Sequence, residues 1–133
     1  MKILLQIHSD IRWLIVVVAV VALVKFLAGW LSNGSFKKID RILGAAFSGL
    51  LDLQGTLGLV FLLWNGLVDE AGFPRHRLEH TGVMIAAMIV GHLQARWKNA
   101  EDKIRFRNSF LMILGVLALV FLGVADLPGG WTR

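Results

Sequence analysis

The stretch IRWLIVVVAVVALVKFLAGWL, residues 11–31, carries only two charged side chains, Arg12 and Lys25. A helix needs about 20 mostly apolar residues to cross the hydrocarbon core of a bilayer. Three further stretches meet this requirement, at residues 42–65, 79–96 and 108–125. Because the connections between them are short, helices adjacent in sequence are expected to pack antiparallel. The sequence therefore predicts a single all-α domain, an antiparallel up-down four-helix transmembrane bundle over residues 1–133.

The composition agrees with a membrane protein whose partner is the lipid bilayer. The chain is 56% hydrophobic, and its mean hydropathy is +0.68. It has no cysteine, which excludes disulfides, thiolate catalysis and Cys-ligated metal centres. It also contains no phosphate-binding loop, dinucleotide-binding glycine pattern or serine nucleophile motif. Whether the protein is an enzyme stays open at this stage.

The basic residues predict the orientation of the chain in the membrane. The net charge is +5, but these cations lie in short connections beside apolar runs, which indicates topology rather than nucleic-acid binding. Eight of them lie in the first and third connections: Lys37, Lys38, Arg41, Arg96, Lys98, Lys103, Arg105 and Arg107. By the positive-inside rule these connections face the cytoplasm of a bacterial inner membrane, with both termini outside. The first apolar run exceeds the length of a signal-peptide core, so it is interpreted as a span.

Two ionisable groups fall inside the predicted spans near the cytoplasmic side. Lys25 lies five residues before Trp30, and Asp52 lies twelve residues before Trp64 on the opposite, outer side. At 1.5 Å per residue, both are expected about 7–8 Å inside the cytoplasmic boundary. An ion pair between them is one hypothesis. The alternatives are a Lys25 that extends to the interface and an Asp52 that is protonated or hydrogen-bonded to a neighbour, Ser48 or Gln54.

Asp52 also lies on a stripe of small residues in the second span. Gly44, Ser48 and Gly55 share its helical face at spacings of three and four, and such stripes favour close helix packing. A transport or proton path through Asp52 is a weaker alternative.

The outer side of the predicted bundle carries two histidines on different spans. In an up-down bundle the first and third helices are diagonal across the core, so His8 and His80 are expected to face each other. Two neutral imidazoles in this arrangement would occupy the two axial positions of a haem iron. The expected heights of the two histidines oppose this assignment. Measured from the tryptophans at 1.5 Å per residue, His8 lies about 7 Å further toward the outside than His80.

Charged residues beside the histidines suggest a supporting set for the haem. Arg12 is expected to pair with Glu79, and Arg75 or Arg77 to meet the anionic propionates at the outer rim.

The third span has a second pattern, because His80, Met84, Met88 and His92 recur every four residues. The methionines are interpreted as core-filling side chains and His92 as a hydrogen-bonding residue near the inner interface. A copper path through thioether and imidazole ligands is an alternative. A second haem at His92 has no facing histidine on the second or fourth span.

The chain resembles small four-span bacterial membrane proteins of a family labelled cytochrome b-like. The shared features are HSDIRWL from His8, the pattern W-L-S-x-x-x-F-x-K-x-D-R over residues 30–41, D-L-Q at 52–54 with a following G-L, and Glu79-His80. The resemblance implies a four-helix bundle with haem b held by histidines, which correspond to His8 and His80 here.

The function predicted from these features is that of a b-type cytochrome-like haem-binding protein in electron transfer. Its partner is expected to be a quinone or another redox protein. The alternative is a cofactor-free structural or assembly subunit of a larger membrane complex, since glycine-rich helix faces and a basic rim suit that role equally.

Overall fold

A computed structural model of the protein describes residues 2–125 and 127–132, which are mostly helical and contain no strand. Four helices occupy the four predicted places. They are α1 (Lys2–Leu31), α2 (Lys38–Leu63), α3 (Arg75–Gly91) and α4 (Asp102–Ala125). A π-helical turn, Trp64–Val68, continues α2, and 3₁₀ turns cover Leu93–Trp97 and Gly130–Thr132. The prediction of an all-α protein with four helices is confirmed.

Three of the helices are long and apolar enough to cross a membrane. They are Lys2–Leu31, the continuous segment Lys38–Val68, and Asp102–Ala125. Their outward faces carry exposed apolar side chains, such as Val17 and Val24 on α1 and Phe121 and Leu122 on α4. Such faces are compatible with contact with a lipid bilayer.

The third predicted span, residues 79–96, was wrong in its extent. Helix α3 has 17 residues, about 26 Å at 1.5 Å per residue, and ends at Gly91. The reason is tertiary, since the Ser48 hydroxyl of α2 donates a 2.6 Å hydrogen bond to the Gly91 carbonyl. That carbonyl would otherwise accept from the backbone N–H four residues later. The chain instead continues as a 3₁₀ turn after His92.

The first connection closes α1 with a turn at Asn33-Gly34. Asn33 adopts φ 54°, and the Gly34 N–H donates to the Gly29 carbonyl at 2.9 Å, which forms a left-handed cap. Asp40 caps the start of α2, because its carboxylate accepts the Lys37 N–H at 2.9 Å.

The second connection stays helical past its first glycine. Gly66 remains inside the π-helical turn, where a Cβ would collide with the Phe73 ring. The chain leaves helical geometry at Glu70 and Gly72, which have φ of 57° and 70°, and α3 then starts after Pro74.

The core lies where α1 and α3 each pack against both α2 and α4. Its largest fully buried apolar side chains are Phe26, Phe47, Phe106, Ile113 and Val116. The small-residue stripe of α2 is a packing face, as predicted. A Cβ at Gly44 would collide with Gln94, and one at Gly55 with Met88, so glycine allows this close approach.

Candidate functional site

The structure brings together the imidazoles of His8 and His80. Their ring centroids are 6.5 Å apart, with an angle of 78° between the ring planes. The height difference expected from the tryptophans does not separate them.

His80 is held by the backbone of α4. Its Nδ1 lies 2.9 Å from the Gly123 carbonyl oxygen. A carbonyl only accepts, so Nδ1 carries the proton and Nε2 keeps its lone pair when the ring is neutral. Metal-binding histidines in proteins are oriented by the same kind of hydrogen bond from the non-coordinating nitrogen.

His8 is positioned by α2. The Gln54 amide donates a 2.7 Å hydrogen bond to the His8 carbonyl, which ties the first part of α1 to the second half of α2. A Cβ at Gly58 would lie 2.9 Å from His8 Cε1, closer than real Cβ contacts, so a glycine is needed for the ring to occupy this place. The Gln54 Oε1 atom is buried and has no hydrogen-bond partner within residues 2–125 and 127–132.

A cavity of about 260 Å³ adjoins the two histidines and is lined by all four helices. Its polar lining includes His8, Arg12, Gln54, Arg77 and His80, set among apolar side chains. Leu59 and Ile85 also line it, and both are about half exposed. The cavity therefore opens to the exterior between α2 and α3.

The two candidate propionate-binding arginines differ in position. Arg77 lines the cavity, donates a hydrogen bond to Asn65 and lies with its guanidinium carbon 5.3 Å from the centre of the Phe61 ring. Arg75 is 92% exposed and pairs with Glu79 at 2.8 Å. Of the two, Arg77 is the one that faces the cavity.

Arg12 also belongs to the cavity wall, although its predicted partner does not. Its guanidinium lies 5.1 Å from the Trp13 ring and 5.2 Å from the Trp131 ring, and the residue is buried. Glu79, which was predicted to pair with it, forms its ion pair with Arg75 on an exposed surface. No local pattern predicts the tryptophan contact, because Trp131 lies far from Arg12 along the chain.

The predicted ion pair between Lys25 and Asp52 is wrong. Lys25 Nζ instead lies 2.7 Å from Asp40, whose side chain is fully buried. Asp52 pairs with His92, whose Nε2 lies 2.8 Å from its Oδ1. The depths counted from the tryptophans placed Lys25 level with Asp52, whereas its partner Asp40 lies in the first turn of α2, about 18 Å of helix before Asp52.

The methionines of the α3 stripe fill the core, as predicted. Met84 and Met88 are partly buried against it. Among the residues that the structure describes, no group of three or more His, Asp or Glu side chains could hold a metal ion. A metal at the paired histidines would need most of its ligands from a non-protein group.

The site thus combines two facing imidazoles, an apolar cavity open on one side, and arginines in its wall. Comparison with protein-family models, curated proteins and solved structures gives no match.

Proposed function

We propose that the protein is a membrane-embedded, b-type cytochrome-like electron-transfer protein, in which His8 and His80 would hold haem b. The observation that carries the proposal is the 6.5 Å separation of the two ring centroids. Two imidazoles this close could both contribute a nitrogen to one metal centre, and histidine nitrogens are common protein ligands of haem iron.

The second support is the protonation pattern of His80. Its Nδ1 is engaged by the Gly123 carbonyl, which leaves Nε2 as the coordinating atom. Such an outer hydrogen bond fixes the ring and raises the basicity of the ligand.

The third support is the surrounding cavity. Because it opens between α2 and α3, a bound group can extend beyond the enclosed volume. Arg77 lines this cavity and offers a guanidinium to a carboxylate, so it is the residue assigned to a haem propionate. Arg12 adds a second positive charge to the wall. Haem would supply one-electron redox chemistry there, at a potential set by its ligands, burial and nearby charge.

The proposed setting is an antiparallel up-down bundle in a bacterial inner membrane, with both termini outside the cytoplasm. Contacts between α1 and α2 support the antiparallel order. Lys25, late in α1, meets Asp40, early in α2, whereas His8, early in α1, meets Gln54, well along α2. The electron partner is proposed to be a quinone or another redox protein.

The test is the visible spectrum of the protein purified in detergent after expression with full haem supply. We expect a sharp Soret band, with resolved α and β bands after reduction by dithionite. His8→Ala and His80→Ala should each abolish the low-spin spectrum.

His92→Ala is the matched control, because His92 pairs with Asp52 and lies outside the wall of the cavity. It should keep the spectrum of the wild type. A colourless wild-type protein would refute the haem proposal and leave the structural or assembly subunit. Loss of the spectrum with His92→Ala alone would mean that the ligands are assigned to the wrong histidines.

A further inference from the structure

A second polar site lies on the same side of the protein as the opening of the cavity. The pair Asp52–His92 lines a groove together with Ile85, Met88 and Ile89. Both side chains of the pair are about half exposed, His92 at 57% and Asp52 at 44%. An ionisable pair placed among apolar side chains of an apolar helix is expensive, and such pairs commonly mark a functional site.

The pair accepts hydrogen bonds and rejects anions. Its carboxylate can only accept, so the His92 Nε2–H donates to Asp52, at 2.8 Å from Oδ1 and 3.0 Å from Oδ2. The remaining carboxylate lone pairs, and Nδ1 when the ring is neutral, are acceptors. The net charge of the pair is zero or negative, so a phosphate headgroup or a fatty-acid carboxylate would be repelled. The ligand that complements the pair is a neutral donor such as a hydroxyl group.

The groove also requires an apolar ligand. Ile85 and Ile89 are 51% and 63% exposed, so a molecule that binds here covers apolar surface. The thioether of Met88 lines the groove and favours contact with an aromatic ring. A hydroxylated ring that dissolves in lipid satisfies all three features.

The groove is continuous with the histidine cavity, because Ile85 and Met88 line both. A ligand in the groove would therefore adjoin the wall of the cavity, with the Asp52–His92 pair about 18 Å of helix from His80.

We propose that this groove is a binding site for a quinol, with a ring hydroxyl donating to the Asp52–His92 pair and the ring packed on Met88. The Asp52–His92 pair can act as the general base that takes up the proton of that hydroxyl; on oxidation of the quinol, its second proton would go to solvent and its two electrons, one at a time, to the haem of the proposed function. The inference deepens the proposed function by naming the electron partner. The role of the quinol as electron partner rests on the proposed function, whereas its binding to the groove does not.

The experiment measures binding of decylubiquinol to the full-length protein in lipid nanodiscs under anaerobic conditions, with empty nanodiscs to correct for partitioning into lipid. We expect saturable binding of one molecule per chain. Asp52→Asn and His92→Gln should each raise the Kd at least roughly tenfold, the effect of losing a hydrogen bond to a charged group.

A second pair of variants tests the groove without touching the polar pair. Ile89→Trp fills the groove and should abolish saturable binding. Leu114→Trp adds the same bulk at an exposed position of α4 that lies outside the groove, and should bind like the wild type. Circular dichroism of each variant verifies that the helices are retained.

Three results would overturn the inference: no saturable binding to the wild type, equal Kd values across all five proteins, or equal displacement of the quinol by dioctanoylglycerol, a lipid with one hydroxyl and no ring. The haem spectrum of the same samples separates the two proposals. Haem bands without quinol binding refute the groove alone, and quinol binding without haem bands refutes the proposed function.

Discussion

At one end of the helices, the rings of Phe26, Phe36 and Phe106 pack with centroids 5.0 to 6.4 Å apart. At the other end, the rings of His8 and His80 border a cavity of about 260 Å³. We call these the phenylalanine end and the histidine end. The first is filled by apolar contact, and the second keeps open space whose mainly apolar wall carries a few polar groups. Packing of the first kind stabilises a fold, whereas a cavity with a few convergent polar groups is typical of a binding site.

Each end has a glycine that makes room for a ring, but the two rings differ in kind. At the phenylalanine end, a Cβ at Gly29 would collide with the Phe106 ring, so this glycine admits an aromatic side chain to the core. At the histidine end, Gly58 admits the His8 ring. Substitution at these positions should therefore affect different properties of the protein.

The largest expected effect is at the histidine end, with Gly58→Leu. The new side chain would displace the His8 ring, because a Cβ there already lies 2.9 Å from His8 Cε1. We expect loss of the low-spin haem spectrum with the helical circular dichroism retained. Gly49→Leu is the matched control on the same helix, since a Cβ at Gly49 meets nothing within 4 Å. A normal spectrum for Gly58→Leu would contradict the assignment of His8 as a ligand.

The next effect is on stability, at the phenylalanine end. Lys25→Met leaves the Asp40 carboxylate, which is fully buried, without its cation. Breaking a buried ion pair costs about 3–5 kcal/mol, and because Lys25 is 42% exposed we expect the lower part of that range. Thermal unfolding in detergent would measure it. Adding Asp40→Asn removes the unpaired charge and should restore part of the lost stability, an outcome that a purely steric role for Lys25 would not produce.

Much of this fold is predictable from the sequence, because it follows from local patterns. Four apolar runs give four helices, and Asn33-Gly34 gives the turn that ends α1. The meeting of His8 and His80 follows from the expected diagonal position of α1 and α3, although the tryptophan depths opposed it.

The remaining features depend on contacts between helices. Lys25 pairs with Asp40 rather than Asp52, although the two carboxylates are about 18 Å apart along α2 at 1.5 Å per residue; which of them it meets depends on how α1 is aligned along α2. The end of α3 depends on a hydroxyl from another helix, Ser48, that engages the Gly91 carbonyl. Neither feature has a local signal in the sequence.

That hydroxyl gives the third prediction, which concerns the contact between α2 and α3. Ser48 is buried, and its hydroxyl donates the 2.6 Å hydrogen bond to the Gly91 carbonyl. Ser48→Ala removes this donor and leaves the buried Gly91 carbonyl without that hydrogen bond. Such a loss costs about 1–3 kcal/mol, so the unfolding temperature in detergent should fall by less than for Lys25→Met. Ser35→Ala, at an exposed position, should change it little. Equal unfolding temperatures for the two variants would mean that water replaces the Ser48 hydroxyl.

The smallest expected effect distinguishes the two arginines of the histidine end. Arg77 lines the cavity, and its positive charge stabilises the reduced, more negative state of a haem beside it. Arg77→Gln should therefore lower the midpoint potential by tens of millivolts, since about 1 kcal/mol of lost interaction corresponds to roughly 40 mV for one electron. Arg75→Gln removes the same charge from a side chain that is 92% exposed, where solvent screens it, and should leave the potential unchanged. A redox titration of both variants followed at the α band would decide the matter, because equal shifts would show that net charge, rather than a charge facing the cavity, sets the potential.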